Sequence, residues 1–199
     1  AINYTLSGDV SFSNRPAALA GVAALADGAV TLDLKVPWSA SAALFTRISP
    51  KWDLMADLTW TQWSSFETLK VVRSNGTVLS STPESWRDTM RIGLGVSYHY
   101  NSTWTSKVGI AYDQSPVPDA TRTPRVPDSD RTWLAIGGQY KVSKQGAIDF
   151  GYAHLFVKDS SIKLPASSYP PTTAASSGTL VGNYENQVNI FSVQYTHAF

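Results

Sequence analysis

The last seventeen residues of the chain, NYENQVNIFSVQYTHAF, alternate in character with a period of two. Phe191, Val193, Tyr195, His197 and Phe199 fall on one face of an extended strand, and Ser192, Gln194 and Thr196 fall on the other. The same alternation recurs upstream. Ile92, Leu94, Val96, Tyr98 and Tyr100 oppose Arg91, Gly93, Gly95, Ser97 and His99. Leu54, Ala56, Leu58 and Trp60 oppose Asp53, Asp57, Thr59 and Thr61, and Ile148, Phe150, Tyr152 and Phe156 oppose Asp149, Gly151 and Ala153. A helix cannot keep this spacing on one face. A slip of one residue would carry Asp57 or Asp149 onto the apolar face, so the strand register is tied to the pattern. One apolar face and one face of small or charged residues suit a sheet that meets lipid on one side and a polar interior on the other.

Eight segments read as strands: 2–12, 30–48, 52–66, 86–100, 103–112, 131–142, 147–157 and 187–199. Most exceed the five or six residues usual in soluble proteins and reach the roughly 9 to 11 needed to cross a bilayer. The connections alternate in length. Residues 49–51, 101–102 and 143–146 make tight turns, whereas 13–29, 67–85, 113–130 and 158–186 are long. Short turns at one end and long loops at the other are the pattern of an outer-membrane barrel, with the long loops outside the cell. By that pattern the final strand runs inward, and both Phe199 and Ala1 are expected on the periplasmic side.

Composition agrees. Aromatic residues make up 12% of the chain and seven are Trp, and no run of about 18 apolar residues is present to form a membrane helix. Trp52, Trp60, Trp86, Tyr98, Tyr100, Trp104, Tyr112, Trp133 and Tyr140 lie near strand ends, where interfacial girdles form. The run 16–26 is short and rich in small residues, and reads as a loop or short helix. The Pro-, Ser- and Thr-rich stretch 169–178 is aperiodic and is expected to be mobile. The net charge of +1 gives no reason to expect nucleic acid. There is no cysteine, so disulfide and thiolate chemistry are excluded. Ala1 opens directly in strand-like sequence, so an export signal is expected either to have been removed or to lie in a longer protein.

The terminal segment resembles the closing strand of a bacterial outer-membrane barrel, and Phe199 resembles the signal read by the barrel-assembly machinery. Residues 109–140, GIAYDQSPVPDATRTPRVPDSDRTWLAIGGQY, resemble the outer-membrane long-chain fatty acid transporter family, the FadL type. Residues 112–118 match its strand-to-loop motif and 126–134 the motif at the far side of that loop. Residues 91–95, 149–152 and the Phe199 terminus fit as well. The resemblance implies an all-β fold, a transmembrane antiparallel up-and-down β-barrel with eight strands in this chain, forming the C-terminal part of a barrel of about fourteen. Residues 1–199 would be one barrel segment, lacking the family's N-terminal hatch and first strands. Eight strands alone close only around their own side chains, and left open they expose two edges to lipid. The missing strands are therefore expected on another segment, with a self-contained eight-stranded barrel as the alternative.

The resemblance implies passive uptake of long-chain fatty acids or other hydrophobic compounds, with no cofactor. A structural or receptor barrel without transport is the rival reading. No phosphate loop, metal cluster or nucleophile motif is present, so no enzyme is expected. Partners would be outer-membrane lipid, lipopolysaccharide, a hydrophobic ligand and the assembly machinery at Phe199.

Candidate lumen residues are Asp33, Lys35, Asp53, Asp57, Arg91, Lys107 and Asp149. Arg91 or Lys107 would suit a fatty carboxylate; the competing reading is an internal ion-pair network with Asp57 and Asp149. Val71, Val72, Val78 and Leu79, with Leu19, Val22 and Leu25, are candidates for an apolar capture surface on the loops. Ser115, Pro116, Pro127, Asp128, Asp130 and Arg131 belong to the loop motif and read as structural, because the prolines stiffen the backbone and the aspartates bond amides or arginines.

Overall fold

The computed structural model describes residues 2–11, 27–164 and 178–198. The run 16–26 with Leu19, Val22 and Leu25, most of 169–178, Ala1 and Phe199 lie outside the described residues. Within them are thirteen strands: β1 Ile2–Val10, β2 Gly28–Val36, β3 Ser39–Ser49, β4 Trp52–Thr61, β5 Thr68–Arg73, β6 Val78–Pro83, β7 Thr89–His99, β8 Trp104–Asp113, β9 Arg131–Lys141, β10 Gly146–Val157, β11 Ser160–Leu164, β12 Leu180–Tyr184 and β13 Gln187–His197. A single 3-10 turn, Trp63–Ser65, follows β4 among them.

Seven strands form one antiparallel sheet in the order β13-β10-β9-β8-β7-β4-β3. Eleven residues of β3 extend about 36 Å, enough to cross a hydrocarbon core of about 30 Å at a tilt. The expected short turns are all present and are stapled by side chains. Asn101 Oδ1 accepts the amides of Thr103 and Trp104 at 2.8 Å, and Ser143 Oγ accepts Gly146 N–H at 2.8 Å.

The segment 30–48 is two strands, not one. Pro37 has no N–H to give to a ladder, and Trp38 turns its carbonyl to Gln62 N–H at 3.0 Å. Beyond this break the sheet continues as a four-stranded extension, β1-β2-β5-β6. The expected loop 67–85 contains the β5–β6 hairpin, and 158–186 contains the β11–β12 pair. The first strand differs most from expectation. Ile2 pairs with Val36 and Val10 with Gly28, so β1 lies against the extension and stops above β3. Seven strands, rather than eight, make the long sheet, and Ile2 stands at the long-loop end rather than level with the tight turns.

Side chains sort by register. Ile92, Leu94, Val96 and Tyr98 pair across with Leu58, Ala56, Leu54 and Trp52 on the outward face. Phe191 and Val193 on that face are 80% and 79% exposed, so no protein layer covers it. Trp52–Tyr98 and Trp104–Tyr140 ring pairs, 4.6 and 4.7 Å apart, mark its tight-turn end, and Trp38–Trp60 at 4.7 Å marks the other. Trp133 and Trp86 leave the expected girdle. Trp133 pairs with Ala111 and Leu155 on the inner face, and Trp86 folds inward onto Trp63 and Phe66 at 5.0 and 4.7 Å.

Candidate functional site

The inner face is layered. Nearest the tight turns, Arg47 Nε and His99 Nε2 meet the two oxygens of Asp53 at 3.1 and 2.6 Å, and His99 Nδ1 lies 3.0 Å from Thr105 Oγ1. Beside them Lys107 Nζ donates to Asp149 at 2.8 Å and Gln139 Nε2 donates to the same carboxylate at 3.0 Å. Asp53, His99 and Thr105 have the connectivity of a hydroxyl–imidazole–carboxylate relay. Asp53 is 5% and Thr105 8% exposed, and through His99 the group ties β4, β7 and β8 together.

Above this layer runs an uncharged band. Cross-strand pairing links Phe45, Met55, Gly95, Gly109, Ala135, Ala153 and Ile190 in one row across all seven strands. The adjacent row is apolar over four strands, with Ala111, Trp133, Leu155 and Val188, and ends through Gly93 at the charged Asp57. Small residues leave space on the inner side, and the larger ones line it with hydrocarbon.

The upper layer is again charged. Arg91 Nη1 reaches Asp57 Oδ2 at 2.7 Å, and Arg131 bonds Asp113 at 3.0 Å and Asp128 at 3.1 Å. A cavity of about 280 Å³ opens here, with Arg91, Asp113 and Arg131 at its base and Trp63, Trp86, Pro116, Val117 and Val126 in its wall. Trp86 is aimed into it by Ser85, which has a left-handed φ of 48°.

The loop 114–130 roofs the cavity and is fixed by buried polar bonds. Ser115, 1% exposed, donates its amide to Asp130 Oδ1 and its hydroxyl to Asp128 Oδ2, both at 2.8 Å. Arg87 Nε donates to Ser115 O at 3.1 Å. Arg122, 2% exposed, joins Asp119 at 2.7 Å, Asp128 O at 3.1 Å and Ser161 O at 2.8 Å, tying the loop to β11. The prolines Pro116 and Pro127 bracket this network, and Asn186 Nδ2 donates to Pro127 O at 3.3 Å.

The candidate residues therefore come together in pairs, Arg91 with Asp57 and Lys107 with Asp149. Asp33 stands on the extension, where Thr5 Oγ1 donates to it at 2.7 Å. The described residues named for a capture surface fall on the β5–β6 hairpin rather than on a loop: Val72 pairs with Val78 across the hairpin, and Val71 and Val72 pair with Leu32 and Thr31, neighbours on opposite faces of β2. The lock at Asp53–His99, the clamp at Arg87 and the Trp63–Trp86 wall escaped the sequence reading. Parity along the strands would have put Asp53, His99 and Thr105 on one face, but their register was not readable. Among the described residues no group of three or more His, Cys, Asp or Glu is placed to hold a metal.

The profile of the outer-membrane transport protein family, OMPP1/FadL/TodX, matches residues 1–199. The chain belongs to this family. This FadL-family chain is 36% identical over 155 residues to a long-chain fatty acid transport protein of Escherichia coli K12, an alignment covering 77% of the chain and 34% of that protein. It matches the crystal structure of a Pseudomonas aeruginosa FadL homologue at 31% identity and TM-score 0.78, over 86% of this chain and 38% of that one. The P. putida toluene transporter TodX shares the fold at 16% identity and TM-score 0.55, over 86% and 37% of the two chains. The FadL-family chain thus spans about a third of the relatives it matches, which makes it part of a barrel.

Proposed function

We propose that the full-length protein moves long-chain fatty acids or other hydrophobic compounds passively across the outer membrane, and that this chain supplies seven strands of its wall. The uncharged row from Phe45 to Ile190 carries the reading. A filled structural barrel needs no hydrocarbon-lined strip between two charged layers, whereas an apolar cargo needs one to leave water. In this reading residues 1–199 are one barrel segment. The free edges of β3 and β13 pair with strands elsewhere in the protein, since an unpaired edge is untenable in lipid. Tight turns and the C-terminus face the periplasm, long loops face outward among lipopolysaccharide, and Phe199 engages the assembly machinery. The cavity under the 114–130 loop receives cargo before it reaches the band.

The test is uptake of labelled oleate and of labelled toluene by cells lacking their own transporter and expressing the full-length protein. Gly109→Asp and Ala135→Asp place a charge in the band. Loss of uptake in both, with heat-modifiable folding retained, supports the proposal. Uptake equal to wild type in correctly folded variants rejects it.

A further inference from the structure

Resting on that reading, we infer that this wall accepts its cargo uncharged, and that a carboxylate gains no ion pair from it. Five cations fall at inner-face positions of the seven-stranded sheet: Arg47, Arg91, Lys107, Arg131 and, at the tight-turn end of β9, Lys141. The four above that end already meet a carboxylate, at 3.1 Å to Asp53, 2.7 Å to Asp57, 2.8 Å to Asp149 and 3.0 Å to Asp113. The upper cavity offers an anion no surplus charge. Arg91 and Arg131 line it with Asp113 and Asp128, so it carries no net positive charge, and Arg91 is paired besides with Asp57 outside the lining.

An incoming carboxylate would have to share its cation with a carboxylate already tethered there, which would stay beside it as a like charge. The other polar groups at the cavity, Thr59, Thr61, Thr89 and Gln114, are neutral. They suit a hydroxyl, an ester or no head group at all. Below the cavity the band from Phe45 to Ile190 again offers no cation. The cargo class that this wall fits is a neutral hydrophobic molecule, including the protonated form of a fatty acid.

The experiment compares hexadecanoic acid with hexadecanol for binding to the full-length protein in nanodiscs, at pH 9 where the acid is ionised, as protein-dependent excess over empty nanodiscs. The expected acid-to-alcohol affinity ratio is near one or below. Asp57→Asn, which frees Arg91, is expected to shift the ratio about ten-fold toward the acid, the worth of one charge-assisted hydrogen bond. Asp149→Asn, which frees Lys107, provides the same measurement should the first variant fail to fold. A wild-type ratio of ten or more that collapses in Arg91→Gln or Lys107→Gln overturns the inference while leaving the transport reading intact. A ratio unmoved in both folded Asp→Asn variants also overturns it. Absence of binding by either ligand rejects the transport reading, and this inference with it.

Discussion

The Asp57 carboxylate lies over the backbone of Gly93, in the space a Cβ would fill, and from there reaches Arg91 at 2.7 Å. Asp57 and Gly93 are directly opposed in the β4–β7 ladder, so the missing side chain on β7 makes room for the carboxylate that β4 supplies to the ion pair. Gly93→Ala is expected to push the carboxylate off Arg91. Stability should change little. The pair is 40% exposed on each side and worth about 0 to 1 kcal/mol, and alanine offsets about 0.5 to 1 kcal/mol through lower chain entropy. The visible effect is on Arg91, which should react faster with an arginine-directed dicarbonyl, read by mass spectrometry. Unchanged reactivity would mean that Gly93 is not what holds the pair.

Face assignment can be tested residue by residue, because the chain has no cysteine. Single cysteines at Ile92, Leu94, Val96, Leu134 and Ile136 should react with a bilayer-soluble maleimide and resist a charged one. Cysteines at Gly95, Ala111 and Ala135 should do the reverse. Trp133→Cys is the decisive case, since it belongs with the inner set. Bilayer-type labelling at position 133 would contradict the β8–β9–β10 register.

That residue also shows where sequence stops being informative. Alternation made the long strands readable, because along much of β4, β7, β10 and β13 apolar residues alternate with small or polar ones. Trp133 breaks the rule, since an aromatic near a strand end suits a lipid interface as well as an inner wall. The β5–β6 hairpin was marked by Asn75-Gly76, a strong turn pair. Gly76 has φ +82° and Thr77 N–H bonds Asn75 Oδ1 at 3.0 Å, but the long-loop pattern masked it. The pairing of Arg91 with Asp57, 34 residues apart, and of His99 with Asp53, 46 apart, depends on register, which a period of two does not specify. The placement of β1 failed for the same reason, as nothing in residues 2–10 distinguishes β2 from β3 as a partner.

Arg122 is a local keystone. Its guanidinium is 2% exposed and bonds two backbone carbonyls, Asp128 O and Ser161 O. Arg122→Met keeps much of the volume but removes the charged donor from both carbonyls, at about 1.5 to 3 kcal/mol each. The loss should be local, because the long sheet does not depend on these bonds. Hydrogen exchange in residues 115–130 and 160–164 should accelerate about ten-fold or more while β7–β10 keep their protection. Equal acceleration throughout would show that the roof and the sheet unfold as one unit.

Glu84, at the end of the β5–β6 hairpin and outside the long sheet, supplies a pH dependence. It is 6% exposed. Burial raises its carboxyl above the ordinary value of 4.5, while the Trp86 indole N–H, 3.1 Å away, and the charge of Arg125 pull it back in part. A carboxyl whose folded pKa exceeds its unfolded value binds its proton more tightly when folded. Its stabilising contribution is complete below the unfolded value and is lost as pH rises through the folded one. The segment 63–86, which carries the Trp63–Trp86 wall of the cavity, should therefore be better protected at pH 4 than at pH 7. Glu84→Gln keeps an acceptor for the indole and removes the titration. Limited proteolysis of the full-length protein across this range should show wild-type cleavage between residues 63 and 86 rising with pH, after correction for the protease's own profile, and a flat response in the variant. A wild-type segment that loosens toward acid instead would reverse the sign and place the controlling group elsewhere.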